Sequence, residues 1–245
     1  VSSTIEGSIS EIVSPASTSV GFVDGAHTTT AGTDLLLCLV GIEGSENMQP
    51  GGAEVRFDIS DTDQSLTLIS ETSVTGSSAD VRTLVYGLVS PGAVTTANCR
   101  TDIEFSANQI ASIWVNIGNA NTASVAAATN EIDTTQNTTE SVSTVLSSGG
   151  STGNSLIAWG VAMGNDMNPS SVSDGFTEQV EGVTAATTSD FAYNLSTLLA
   201  GGPSGVTITW NTSDENSGNL IEIISSSTGI GPQAMHHYRH HGKIF

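Results

Sequence analysis

The chain has 245 residues, 25 of them acidic against five Lys and Arg, for a formal net charge of -20; 37% of the residues are hydrophobic and 5% aromatic. Only Arg56, Arg82 and Arg100 carry positive charge ahead of the C-terminal tail, and phosphate recognition needs clustered Lys and Arg, so nucleic acid and anionic membranes are excluded as partners. A chain of this length buries a substantial core without disulfides, and no apolar run approaches the ~20 residues of a membrane-spanning helix.

In chain order, residues 1–16 read as an arm or edge strand, and the start at Val1 without Met or a signal-peptide pattern reads as a processed or trimmed product. Period-two alternation then predicts half-buried strands. Val55, Phe57 and Ile59 alternate with Arg56 and Asp58, Ile103 and Phe105 with Asp102 and Glu104, and Val206, Ile208 and Trp210 with Thr207 and Thr209. Further strands are expected at 19–23, 35–42, 66–73, 82–88, 111–117, 141–146, 156–163, 176–183, 191–199 and 220–225. Turn signals at Pro50-Gly51-Gly52, Pro91-Gly92, Ser148-Gly149-Gly150 and Gly201-Gly202-Pro203 separate them. The pattern holds no long amphipathic helix, so the class is all-β.

The order of signals recurs. Leu35 finds a counterpart in Leu156, Tyr86 in Tyr193, Phe105 in Trp210, and Pro91-Gly92-Ala93-Val94-Thr95 in Pro203-Ser204-Gly205-Val206-Thr207. Two halves, 17–118 and 154–229, are therefore expected to form a jelly-roll-like antiparallel β-sandwich with an internally duplicated strand order, one sandwich being favoured over two adjoining ones. The polar stretch 119–153 reads as their connection, with 141–146 adding a strand, and residues 230–245 form a separate tail.

The core pattern Gly32-Thr33-Asp34-Leu35-Leu36-Leu37-Cys38-Leu39-Val40, Tyr86-Gly87-Leu88-Val89-Ser90-Pro91-Gly92, Glu104-Phe105 and Val206-Thr207-Ile208-Thr209-Trp210 resembles jelly-roll virion structural proteins of tailed bacteriophages, over roughly residues 17 to 226. The resemblance implies a particle component: a head decoration, fibre or tail-associated subunit. It transfers no individual functional residue.

Four of the five histidines lie in the tail, in the run Met235-His236-His237-Tyr238-Arg239-His240-His241-Gly242-Lys243, followed by Ile244 and Phe245. Arg239, Lys243 and the histidines suit the acidic surface of a neighbouring copy or another virion protein, while Met235, Tyr238 and Phe245 suit apolar pockets, so the tail reads as an assembly arm. His236, His237, His240 and His241 fall at helical spacings that place imidazoles together. No Cys or acid within the run completes a four-ligand set, so a metal there would be shared between subunits. Asp58, Asp61 and Asp63 supply hard oxygens for calcium at a strand end, without the EF-hand spacing. No other cofactor is expected.

Catalysis is not expected, because His27 is the only histidine outside the tail and no G-x-S-x-G elbow occurs. Trp114, Trp159 and Trp210 read as core residues; two of them facing solvent would favour sugar stacking instead. Cys38 and Cys99 read as buried thiols, with a disulfide between neighbouring strands as the other arrangement. The expected protein is a non-enzymatic structural subunit on a phage virion surface, binding its own copies and other virion proteins. A secreted carbohydrate-binding or adhesin module contacting host glycan, and a subunit of an extracellular filament, are the alternatives.

Overall fold

The run Leu35-Leu36-Leu37-Cys38-Leu39-Val40 shows no alternation because its strand is covered on both faces, as in any sheet that forms a middle layer. The computed structural model describes residues 2–14, 20–44, 53–72, 81–147, 153–163, 169–184, 191–199 and 205–226. The first part contains β1 (Thr4–Ile5), β2 (Ser10–Val13), β3 (Val20–His27), β4 (Leu35–Glu43), β5 (Ala53–Phe57), β6 (Gln64–Ser65), β7 (Thr67–Glu71), β8 (Val81–Val89), β9 (Ala97–Ala107) and β10 (Gln109–Gly118). A short helix α1 (Val125–Ala128), N-capped by the Ser124 hydroxyl accepting from the Ala127 amide, leads into the second part. There follow β11 (Thr129–Leu146), β12 (Ser155–Met163), β13 (Pro169–Val172), β14 (Thr177–Val183), β15 (Phe191–Leu198) and β16 (Val206–Ile223).

The fold is all-β and its strand pairs are antiparallel. One large sheet runs β1-β10-β4-β8-β7, with β2 also on β10; a second runs β11-β16-β12-β15-β14, with β13 on β16; a smaller sheet runs β3-β9-β5-β6. Three apolar clusters lie between these layers. Leu36, Cys38, Val40 and Ile42 of β4 pack with Val55, Phe57 and Cys99 of the small sheet and with Trp114. The opposite face of β4, through Leu35, Leu37 and Leu39, packs against Ile157, Trp159, Val161, Tyr193 and Ile221 of the second large sheet. In the third cluster Val206, Ile208 and Trp210 of β16 lie with Leu156 and Ala158 of β12 and with Leu220, further along β16 itself. That strand therefore folds back over its own sheet, and the register shifts between Asn137, Ser141 and Ser143 of its partner β11 allow the bend.

Side chains tie the two large sheets across the central cluster. Trp159 Nε1 donates to the Val40 carbonyl at 3.1 Å, Asn219 Nδ2 to Ser70 Oγ at 2.8 Å and Gln136 Nε2 to the Val81 carbonyl at 3.0 Å. Among the described residues three sheets and three clusters form, where a single two-sheet sandwich is the favoured expectation. Pairing sheet to sheet on both faces of β4 leaves a middle layer that one sandwich lacks.

Other differences from the sequence reading are local. The stretch 119–153, read as a connection, holds α1 and the whole of β11, whose Thr-rich backbone pairs with β16 from Thr129 to Leu146; β-branched residues favour that extended pairing. In each matched pair only one residue lies in the central cluster, Leu35 but not Leu156 and Tyr193 but not Tyr86, so the matched positions point to different sides of their sheets. Side chains alternate with period two, and an odd slip in register moves every one of them to the other face.

Candidate functional site

The assembly-tail residues Met235, His236, His237, Tyr238, Arg239, His240, His241, Lys243 and Phe245 lie outside the described residues. Among the described residues no three His, Cys, Asp or Glu side chains come together as a metal site. Asp58, Asp61 and Asp63 sit in one turn, and the carboxylates of Asp58 and Asp63 have separate partners. Asp58 is buried with φ 55° and accepts from the Thr62 hydroxyl at 3.0 Å, and Asp63, at φ 49°, pairs with Arg56. The Asp58 and Asp63 carboxylates thus serve the turn, where Asp tolerates left-handed backbone.

All three tryptophans are core residues, 0%, 0% and 2% exposed for Trp114, Trp159 and Trp210, so none offers a sugar-stacking surface. Among the described residues the small sheet exposes the ring of Phe22, with the Arg100 guanidinium 4.0 Å above its centre. Arg100 also donates from Nε to Asp102 at 2.6 Å and lies 3.7 Å from Asp24. On the next strand Arg56, the direct cross-strand partner of Arg100, meets Glu54 at 3.7 Å. Directly opposed arginines repel, and the flanking carboxylates offset this. Arg82 differs, being buried, and desolvation lowers its pKa while Glu71 opposes that shift.

A buried polar set lies where β2, β3 and β10 meet, and no sequence motif announces it. His27, 2% exposed, sits 2.8 Å from Ser10 Oγ through Nδ1 and 3.0 Å from Asn116 Oδ1 through Nε2. Asn116 Nδ2 donates to the Thr28 carbonyl at 2.8 Å, which turns its Oδ1 toward the imidazole. An amide oxygen only accepts, so Nε2 carries the proton and Nδ1 accepts from the Ser10 hydroxyl. Burial lowers the His27 pKa, with the Asn116 hydrogen bond opposing, so the ring is neutral at pH 7. Serine, imidazole and an orienting amide are in line, as in a nucleophile relay. The ring, however, is enclosed against Trp114, 6.2 Å between centroids, and its geometry is that of a tie between sheets.

Both cysteines are free and buried. Burial raises Cys38 well above the ordinary thiol range and pushes Cys99 up to about 12. Thiolate is the reactive form, so neither thiol is expected to react with a disulfide reagent in the folded chain within minutes, and both should react in denaturant. Rapid native labelling counted by mass spectrometry would contradict the burial described here.

Comparison with protein-family models, curated proteins and solved structures finds no match for this chain.

Proposed function

We propose that the chain is a non-enzymatic structural subunit of a tailed-phage virion, built from two jelly rolls, displayed on the particle surface and assembled partly through its C-terminal tail. The observation that carries this reading is strand order. An eight-stranded jelly roll places its first, eighth, third and sixth strands in one sheet and its second, seventh, fourth and fifth in the other, an architecture recurrent in viral capsid and lectin domains. With β2, β3, β4, β5, β6, β8, β9 and β10 as the eight, the sheets β2-β10-β4-β8 and β3-β9-β5-β6 follow that order, and β7 adds beyond β8.

The second half supports a duplication in the same terms. Its run β16-β12-β15-β14 corresponds to β10-β4-β8-β7, and the two parts of β11 stand for β2 and β3. The ladders also match in register. Cys38 between Trp114 and Tyr86 corresponds to Ala158 between Leu220 and Ser196, and the bulge between Leu68 and Ser70 to the one between Glu178 and Val180.

A chain of net charge -20 repels its own copies, so assembly needs local relief of that repulsion. The cationic tail supplies it by charge. Light scattering of the full chain and of a version ending at Gly229, with and without EDTA, tests this. The full chain is expected to form the larger particle, and EDTA sensitivity would add a shared metal. Equal masses would remove self-assembly through the tail. The burial of all three tryptophans takes away the feature that would have favoured the carbohydrate-binding alternative.

A further inference from the structure

We propose that the Ser10–His27–Asn116 set is an acid-sensitive latch on the N-terminal strap, residues 2–14, holding β2 in place near neutral pH and releasing it when the His27 ring takes up a proton. The strap belongs to neither half alone. Ser3 Oγ donates to Ser155 Oγ at 2.7 Å, and Glu11 accepts from the Tyr193 hydroxyl at 2.9 Å, both in the second half. Ser14 Oγ donates to Gln109 Oε1 at 3.1 Å, and Ser10 meets His27, both in the first. Release of the strap would therefore loosen the tie between halves as well as the edge of the first one.

The latch is a point on the strap where one proton on an imidazole changes the bonding. In the neutral ring Nδ1 accepts the Ser10 hydroxyl proton; after protonation Nδ1 becomes a donor, and the Ser10 hydroxyl has to reverse. Among the described residues the groups facing the new charge include no carboxylate in hydrogen-bond contact with the ring. From β2 the ring faces Ser10, while Glu11 is turned to Tyr193; from β10 it faces Trp114 and Asn116; from β9 the titratable neighbour is the Cys99 thiol, with Asp58 beyond it. On β3 itself Asp24 is directed to Arg100. The strap is also closely seated: a Cβ on Gly25 of β3 would lie 2.5 Å from Ile12 Cδ1. Hydration of the charged ring from its β2 side therefore needs movement of β2.

The sign follows from linkage. The closed form has a His27 pKa below 6.5 and the open form the ordinary value, so between the two the open form alone binds a proton. Opening is favoured as pH falls through this window, by up to about tenfold per pH unit, and is independent of His27 above about pH 7.

Amide hydrogen exchange on the full chain between pH 7.5 and 5, corrected for intrinsic rates, tests the latch. Amides of β2 are expected to lose protection below pH 6.5 while those of β12 and β15 keep theirs, and in His27→Gln the β2 protection should not vary with pH. Because that variant risks misfolding, the His27 ring resonances of the unmodified chain provide a second reading: the Nε2–H tautomer at pH 7.5, titrating in the same window in which β2 opens. A β2 protection independent of pH, equal loss throughout the fold, or a slope that persists in a folded His27→Gln would overturn the proposal.

Discussion

Replacing Trp159 by alanine is expected to destabilise the fold by about 4 kcal/mol, within the range of buried tryptophan truncations. Trp159 is fully buried in the central cluster, tilted against Tyr193 with 6.1 Å between ring centroids, and its Nε1 donates to the Val40 carbonyl of the opposite large sheet. Truncation removes the packing between the two sheets and one bond across them in a single step. Two outcomes separate in urea. A single transition at lower midpoint means that the halves unfold together, whereas two transitions mean that each half has stability of its own and Trp159 couples them. Trp159→Phe keeps much of the volume and loses the donor, so it should lie between the two proteins. An unchanged midpoint in Trp159→Ala would show that the sheets do not pack as described.

The second large effect is expected from Leu37→Asp, which places a carboxylate in the same cluster. Leu37 is fully buried on β4 between β10 and β8, facing the second large sheet. An uncompensated buried charge costs about 3–5 kcal/mol, a large share of the stability of an ordinary domain, so the variant should be unfolded or strongly destabilised at neutral pH. Lowering the pH to protonate the new carboxyl should recover part of the loss. Val145→Asp is the matched control. At 56% exposure Val145 faces solvent, and its replacement should change stability by no more than about 0.5 kcal/mol. The difference between these positions, read by circular dichroism in urea, tests the assignment of faces directly.

That assignment of faces is where sequence reading stopped. Alternation at Val55 to Phe57 and at Val206 to Trp210 located β5 and the start of β16, because one face of each meets an apolar cluster while the other stays polar. β4 and β10 are buried along their whole length, so alternation vanishes, and nothing local says which of Leu35 and Leu36 belongs to which core. The match of Leu35 to Leu156 is one residue from a pair with the same facing, Leu36 with Leu156, both of which lie outside the central cluster that holds Leu35. β1, β2, β6 and β13 were missed as individual strands because two to four residues are too few for a period to be recognised.

The candidate sites divide in the same way. The tail is legible as chemistry because its residues are neighbours in the chain. The Asp58 turn looked like a calcium loop because composition does not show that Thr62 and Arg56 take up its carboxylates. Ser10, His27 and Asn116 are each unremarkable among the many Ser and Asn of this chain, and they meet only because β2, β3 and β10 close on one another.

By itself the sequence determined the all-β class, the acidity, the position of strands such as β4, β8, β10, β12 and β15, and the concentration of cationic side chains in the tail, since these depend on local hydrophobic pattern and on charge. Tertiary structure decided the middle layer, the two environments of β4, the path of β11 and β16, and the His27 tie. Each of these depends on contacts between residues far apart in the chain, where pairing partner and register, rather than residue type, set what a side chain meets.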